Sequence, residues 1–204
     1  MKRYSFFVDF DDTSIPTKHL VAQYLGNKYG VKLNKEDLTN NNAFDQTLKN
    51  LGVNVGYNEI YLDFGKNFFS SFGIENFILY PGEKEAIEKL SEIYNIYIVT
   101  SRQENEKEYI RDILKKNNIL SCFQDIHCVW KWEKGFFKED SKASFMKRQG
   151  GTNIGFLDDS LHEIKNALKE SIYPILFDPF CSHRGERLGY GVCSTWKQVE
   201  KIFS

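Results

Sequence analysis

Five short, nearly continuous apolar runs punctuate the chain: Tyr4–Val8, Ile96–Thr100, Ile126–Trp130, Ile154–Leu157 and Ile172–Phe177. Runs of this length without polar alternation predict strands covered on both faces, as in a parallel sheet. Between them, Glu83–Ile93, Glu104–Asn117, Ser141–Gln149 and Leu161–Lys169 repeat their apolar residues at helical spacing, which predicts amphipathic helices. Strand–helix alternation of this kind predicts an α/β fold: a Rossmann-like parallel sheet with helices on both faces.

One connection breaks the rhythm. From Asp9 to Thr100 is 91 positions, whereas a βαβ unit needs about 30 residues. The surplus carries helical patterns at Thr17–Tyr29, Phe44–Leu51 and Tyr57–Phe69, and Pro81-Gly82 punctuates its end. The economical reading is a core domain of residues 1–14 and 81–204 with a small helical domain, residues 15–80, inserted after the first strand. Its aromatic residues (Tyr24, Phe44, Tyr57, Tyr61, Phe64, Phe68, Phe69) recur mostly at helical spacing, so they are expected to form that domain's core, with one or two facing the first strand's end.

Chemistry concentrates where the predicted strands stop. In open α/β sheets ligands bind beyond the carboxyl ends of the strands. The first strand runs into Asp9-Phe10-Asp11-Asp12-Thr13, the second into Thr100-Ser101-Arg102 and the fourth into Asp158-Asp159-Ser160. Lys142 opens a helical stretch whose N-terminus points to the same edge. Crowded carboxylates repel one another unless a cation is shared, and Mg²⁺ prefers oxygen ligands while keeping water and substrate phosphate. Thr100, Lys142 and backbone N–H groups suit phosphate. An aspartate so placed can attack phosphorus, and a second acid two residues on can move protons. A helical insertion leaving beside these acids is expected to sit over them as a lid.

Composition narrows the class further. The chain is 204 residues, 41% hydrophobic and 27% charged, enough for a sizeable core, and its formal net charge of −1 leaves no basic footprint for nucleic acid and no field for a membrane. No run approaches the length of a spanning helix, and a strand begins within a few residues of Met1, so no secretory signal is expected. Cys122, Cys128, Cys181 and Cys193 form no C-x-x-C pair and are expected to be free thiols in a reducing cytoplasm. His127-Cys128 and Cys181-Ser182-His183 lack the repeated spacing of a zinc site. His162 and His183 are expected at the surface. Gly189-Tyr-Gly191 is a fragment of a dinucleotide loop, and no G-x-x-x-x-G-K-[ST] loop is present. Ser160…Glu163 and Ser101…Glu104 spell capping boxes, which makes both serines expected helix caps.

Four motifs in order now resemble those of the haloacid dehalogenase superfamily of phosphohydrolases: "FFVDFDDT", "IYIVTS", Lys142 and "IGFLDDS". The resemblance covers almost all of the chain outside the insertion, which itself stands where that superfamily carries a helical cap of the C1 type. It implies Asp9 as nucleophile and Asp11 as general acid/base. It also implies Mg²⁺ bound by Asp9, the Asp11 carbonyl and Asp158, with Thr100, Ser101 and Lys142 on the phosphoryl group of a small phosphorylated substrate. Lys138 competes with Lys142 for the lysine role, and Lys142 fits better at a helix start. Asp12, at a position often Gly in the family, is read with Thr13 and Asp159 as turn or supporting residues. The tail "IYPILFDPFCSHRGERLGYGVCSTWKQVEKIF" and "KNFFSSFGIENFILYPGEKEAIEKL" are similar to the 5'(3')-deoxyribonucleotidase-like branch, from which Asp12-Thr13 departs where that branch has Gly-Val. A phosphosugar mutase would keep the same two aspartates, and a silent binding module is the reading from another class.

Overall fold

The computed structural model describes residues 4–38, 44–133, 136–139, 141–150, 154–180 and 190–204. Its strands are β1 (Tyr4–Val8), β2 (Tyr94–Gln103), β3 (Phe123–Glu133), β4 (Phe136–Glu139), β5 (Ile154–Asp158), β6 (Tyr173–Phe177) and β7 (Gly191–Cys193). They form one seven-stranded sheet in the order β4-β3-β2-β1-β5-β6-β7. Every neighbouring pair is parallel except β3 and β4, which form an antiparallel edge. The first strand in sequence is therefore the central one, paired through Phe6 to Ile96 on one side and to Gly155 on the other.

Alternation along β1 divides the core. Phe6 and Val8 join a hydrophobic cluster with Ala86, Ile87 and Leu90 of α4 (Glu83–Ile93), Ile110, Ile113 and Leu114 of α5 (Lys107–Lys116), and Trp196 and Val199 of α8 (Trp196–Phe203). Phe7 points to the opposite face, against Ala143, Phe145 and Met146 of α6 (Lys142–Gly150) and Ala167 of α7 (Leu161–Lys169). Full burial of each such side chain contributes about 1.5–3 kcal/mol, so both faces of β1 are fixed by packing.

Helices α1 (Lys18–Tyr29), α2 (Phe44–Asn50) and α3 (Tyr57–Asn67) fall between β1 and α4. Leu20, Leu25, Leu48, Ile60 and Phe68 from this segment belong to the same cluster as Phe6. The chain returns through Pro81-Gly82, where Gly82 takes φ 79° at the head of α4, a left-handed conformation that a side chain would strain.

The predicted strands and helices are all present, with three differences. Two strands were missed: β4, of mixed polarity, and β7, of three residues, carry no legible pattern. β2 continues past Thr100 to Gln103, with a register shift against β3 there. The helix expected over Glu104–Asn117 is a 3₁₀ turn, Glu104–Glu106, followed by α5. Cys122, Cys128 and Cys193 are free thiols, while Cys181, His183 and Gly189 lie outside the described residues. Among the described residues no helix is long and apolar enough to cross a membrane.

Candidate active site

Asp9 follows Val8 directly and continues the ladder, its N–H donating to Leu157 O at 2.9 Å. By alternation it shares the face of Phe7, beneath α6, and there it meets Lys142. Lys142 Nζ donates to Asp9 Oδ1 at 2.6 Å and to Asp158 Oδ2 at 2.7 Å. All three residues are buried. The second oxygen of Asp158 accepts the Ser160 N–H at 2.7 Å, and Ser160 in turn caps α7 by accepting from Glu163 N. Lys138, the competing lysine, lies in β4 rather than at a helix start.

One ammonium between two carboxylates leaves a negative charge uncompensated in a dry environment. Burial pushes the Asp9 carboxyl well above the usual carboxylate range, against the pull of Lys142 and aided by the charge of Asp158. The Asp158 carboxyl is raised by burial as well, with Lys142 opposing. Burial alone would pull the Lys142 ammonium down, but Asp158 and Asp9 more than reverse that and hold it protonated. Carboxylate oxygens of Asp9, Asp158 and Asp159 lie within 4.8 Å of one another. An all-oxygen, net-negative cluster of this kind fits a hard divalent cation. Asp159 is kept in place by Lys18 of α1, whose Nζ reaches its Oδ2 at 2.9 Å and Asp12 at 3.5 Å.

The other acids of the first loop take different parts. Asp12 has φ 55°, and its Oδ1 accepts the N–H groups of Thr17 and Lys18, both at 3.1 Å. It therefore turns the chain and satisfies two N–H groups at the start of α1. Burial raises its carboxyl to about 7, with Lys18 opposing. Thr13 is buried, and its carbonyl accepts the Trp196 Nε1–H at 3.1 Å; Ser14 Oγ donates to the Asp9 carbonyl at 3.1 Å. The Asp11 carboxylate is not among the cluster's ligand atoms but meets Arg102, which grips both oxygens at 2.8 and 2.7 Å. Burial would raise the Asp11 carboxyl, but the charge and hydrogen bonds of Arg102 carry it below its ordinary value.

Thr100 is buried on β2 and its hydroxyl accepts the Arg102 N–H at 3.3 Å. Ser101 is exposed. The capping box expected from Ser101 and Glu104 sits two residues later, between Gln103 and Glu106, because the strand continues through Gln103. His127 stacks on Phe145 with ring centroids 3.7 Å apart, and Cys128 is buried. Among the described residues the one cluster able to hold a metal is the aspartate trio. His162 sits exposed on α7, within hydrogen-bond distance of Asn166.

Sequence reasoning missed Arg102, Glu106 and Lys18. The first two carry a signal: Arg102 shares the strand parity of Thr100, and Glu106 stands four residues on, paired to it at 2.9 Å. Lys18 carries none, since its role depends on how α1 is set beside the fourth loop.

No protein-family model and no curated protein matches the chain. Solved structures do. A haloacid dehalogenase-like hydrolase from Streptococcus pneumoniae is similar at TM-score 0.71 and 16% identity, covering 99% of both chains. The chain shares its fold with that structure, a largely parallel sheet flanked by helices. A predicted phosphoglycolate phosphatase from Haemophilus somnus matches at TM-score 0.67 and 17% identity, over 100% of this chain and 99% of that one. A superfamily hydrolase from Bacillus subtilis, solved bound to magnesium, matches at TM-score 0.63 and 16% identity over the whole of both chains. The loop after the central strand, the end of β2, the start of α6 and the end of β5 meet at one edge here.

Proposed function

We propose that the chain is a phosphomonoester hydrolase acting through an aspartyl-phosphate on Asp9. The observation that carries this reading is the buried Asp9 carboxylate at the end of the central strand, held by Lys142, which also holds Asp158. A fixed, desolvated carboxylate beside an ammonium is a nucleophile with charge stabilisation for a phosphoryl group already in place.

In the first step an Asp9 oxygen attacks phosphorus, the bond to the substrate oxygen breaks, and Asp11, which has to take up a proton against the pull of Arg102 beforehand, gives that oxygen its proton. In the second, water attacks the phosphorus of the aspartyl-phosphate while Asp11 takes a proton from it, which frees phosphate and Asp9. Thr100 and Lys142 hold the transferring phosphoryl oxygens. Ser101, exposed beside the buried Thr100, is left out of that set. Asp9, Asp158 and Asp159 would hold Mg²⁺, which when bound supplies positive charge against theirs and the phosphate's. Residues 15–80 act as a cap over this edge, limiting access to small phosphorylated metabolites in the cytoplasm.

The test is phosphate release by the purified protein with Mg²⁺. The substrates are p-nitrophenyl phosphate and a panel of nucleoside monophosphates, phosphoglycolate and hexose phosphates. Turnover should fall on chelation and vanish in Asp9→Asn with the circular dichroism spectrum unchanged. A fully active Asp9→Asn protein refutes the mechanism, and sugar-phosphate isomerisation without phosphate release would replace it with a mutase.

A further inference from the structure

The guanidinium of Arg102 is committed on every side. Nε and Nη2 form the fork on Asp11, and Nη1 donates to Glu106 Oε1 at 2.9 Å. The Arg102 guanidinium carbon lies 4.6 Å and 4.7 Å from the ring centroids of Phe68 and Phe69, just after α3. The side chain is 7% exposed. Its surroundings are fixed in turn. Glu106 also accepts the Gln103 N–H at 2.9 Å, Asn105 Nδ2 donates to Gly65 O at 2.7 Å, and a Cβ at Gly65 would collide with the Gln103 side chain. The end of α3 and the end of β2 are therefore keyed together around Arg102.

We propose that Arg102 is a positioning residue for Asp11. Its planar fork sets the direction in which the Asp11 carboxyl faces the phosphoryl centre, and the stacking on Phe68 and Phe69 ties that direction to the seating of the helical segment. A two-toothed contact fixes both the plane and the distance of a carboxylate, which a single-point ammonium does not. The inference rests on the reading of Asp11 as the acid/base group. A buried ion pair that merely holds α3 on the core would show the same contacts, so the test must separate the two.

A double-mutant cycle does so, measured on p-nitrophenyl phosphate with Mg²⁺ for wild type, Arg102→Met, Asp11→Asn and the double variant. Arg102→Met should lower kcat by about 100-fold with little change in KM, the scale expected when a proton-transfer group is misplaced by about 1 Å. In the Asp11→Asn background the same change should cost less than about threefold, because the group it positions is gone. Equal losses in both backgrounds, or a loss below about threefold in the first, overturn the proposal. If Arg102→Met does not fold, Arg102→Lys takes its place in the cycle, keeping the cation and losing the fork. It should lose at least about tenfold in kcat, and only while Asp11 is present. Absence of that loss also overturns the proposal. A wild-type protein that releases no phosphate would remove the phosphatase reading and this one with it. An Asp11→Asn variant as fast as wild type would remove the acid/base role of Asp11 and this proposal while leaving the phosphatase reading standing. Those two results are obtained before Arg102 is touched.

Discussion

Lys142→Met separates the electrostatic account of the site from its chemistry. Methionine keeps the length and apolar stem of lysine but leaves Asp9 and Asp158 facing one another without the ammonium that now sits 2.6 and 2.7 Å from them. Removing one partner of a buried pair costs about 3–5 kcal/mol. Here the low end applies, because Asp9 is already inclined to take up a proton and so to relieve part of the repulsion. For a chain of this size about 3 kcal/mol lowers Tm by about 6–12 °C. The assay is thermal unfolding at neutral pH with a chelator present, repeated with Mg²⁺ in excess. Mg²⁺ at about 100 times its dissociation constant adds about 2.7 kcal/mol to whichever protein binds it. With the competing ammonium gone, the variant should regain more Tm than wild type gains. A chelated variant that melts within about 2 °C of wild type would show that the buried ammonium is not the counter-charge of these carboxylates.

Glu83 offers a pH test away from the acids. It is fully buried at the head of α4, faces no cation that pairs with it among the described residues, and burial pushes its carboxyl well above the ordinary value against the pull of Ser14 and the Tyr80 backbone. A carboxyl raised in the folded state stabilises the protein below its unfolded pKa and loses that contribution as pH rises through the folded one. Glu83→Met should therefore be more stable than wild type by roughly 1–3 kcal/mol at about pH 8 and by less at about pH 5; parallel pH dependences of denaturant unfolding would contradict this. Asp12→Ala should lose about 2 kcal/mol in the same assay, combining a lost helix cap with a strained left-handed backbone, while Asp12→Asn loses little. Equal losses would remove the capping role.

Much of the fold was legible because burial imposes it locally. β1 and α7 fall where their apolar periods place them, and Pro81-Gly82 stands in the turn that opens α4. β7 was invisible because three residues carry no period, and its parallel pairing to β6 is a long-range choice. The candidate site was readable only as residue types at strand ends. Asp9, Lys142 and Asp158 do meet, because three elements stop at one edge. That Asp11 turns to Arg102 was not readable, since it depends on β2 extending past Thr100 and on Phe68 and Phe69 arriving from the other side. Lys18 was out of reach for the same reason: its partner Asp159 is 141 positions away.

The central place of β1 has a consequence during synthesis. The strand and Asp9 leave the ribosome well before the strands that flank them, since β2 pairs from Tyr94 and β5 from Ile154. At about 5–20 residues per second, a nascent chain carries Asp9 for several seconds or more before Lys142 and Asp158 exist to meet it. The same strand, with Phe6, Phe7 and Val8, is for that interval an unpaired edge on both sides. Nascent chains are thus at their stickiest while Asp9 is still without its partners, and docking β5 beside β1 helps to end both conditions.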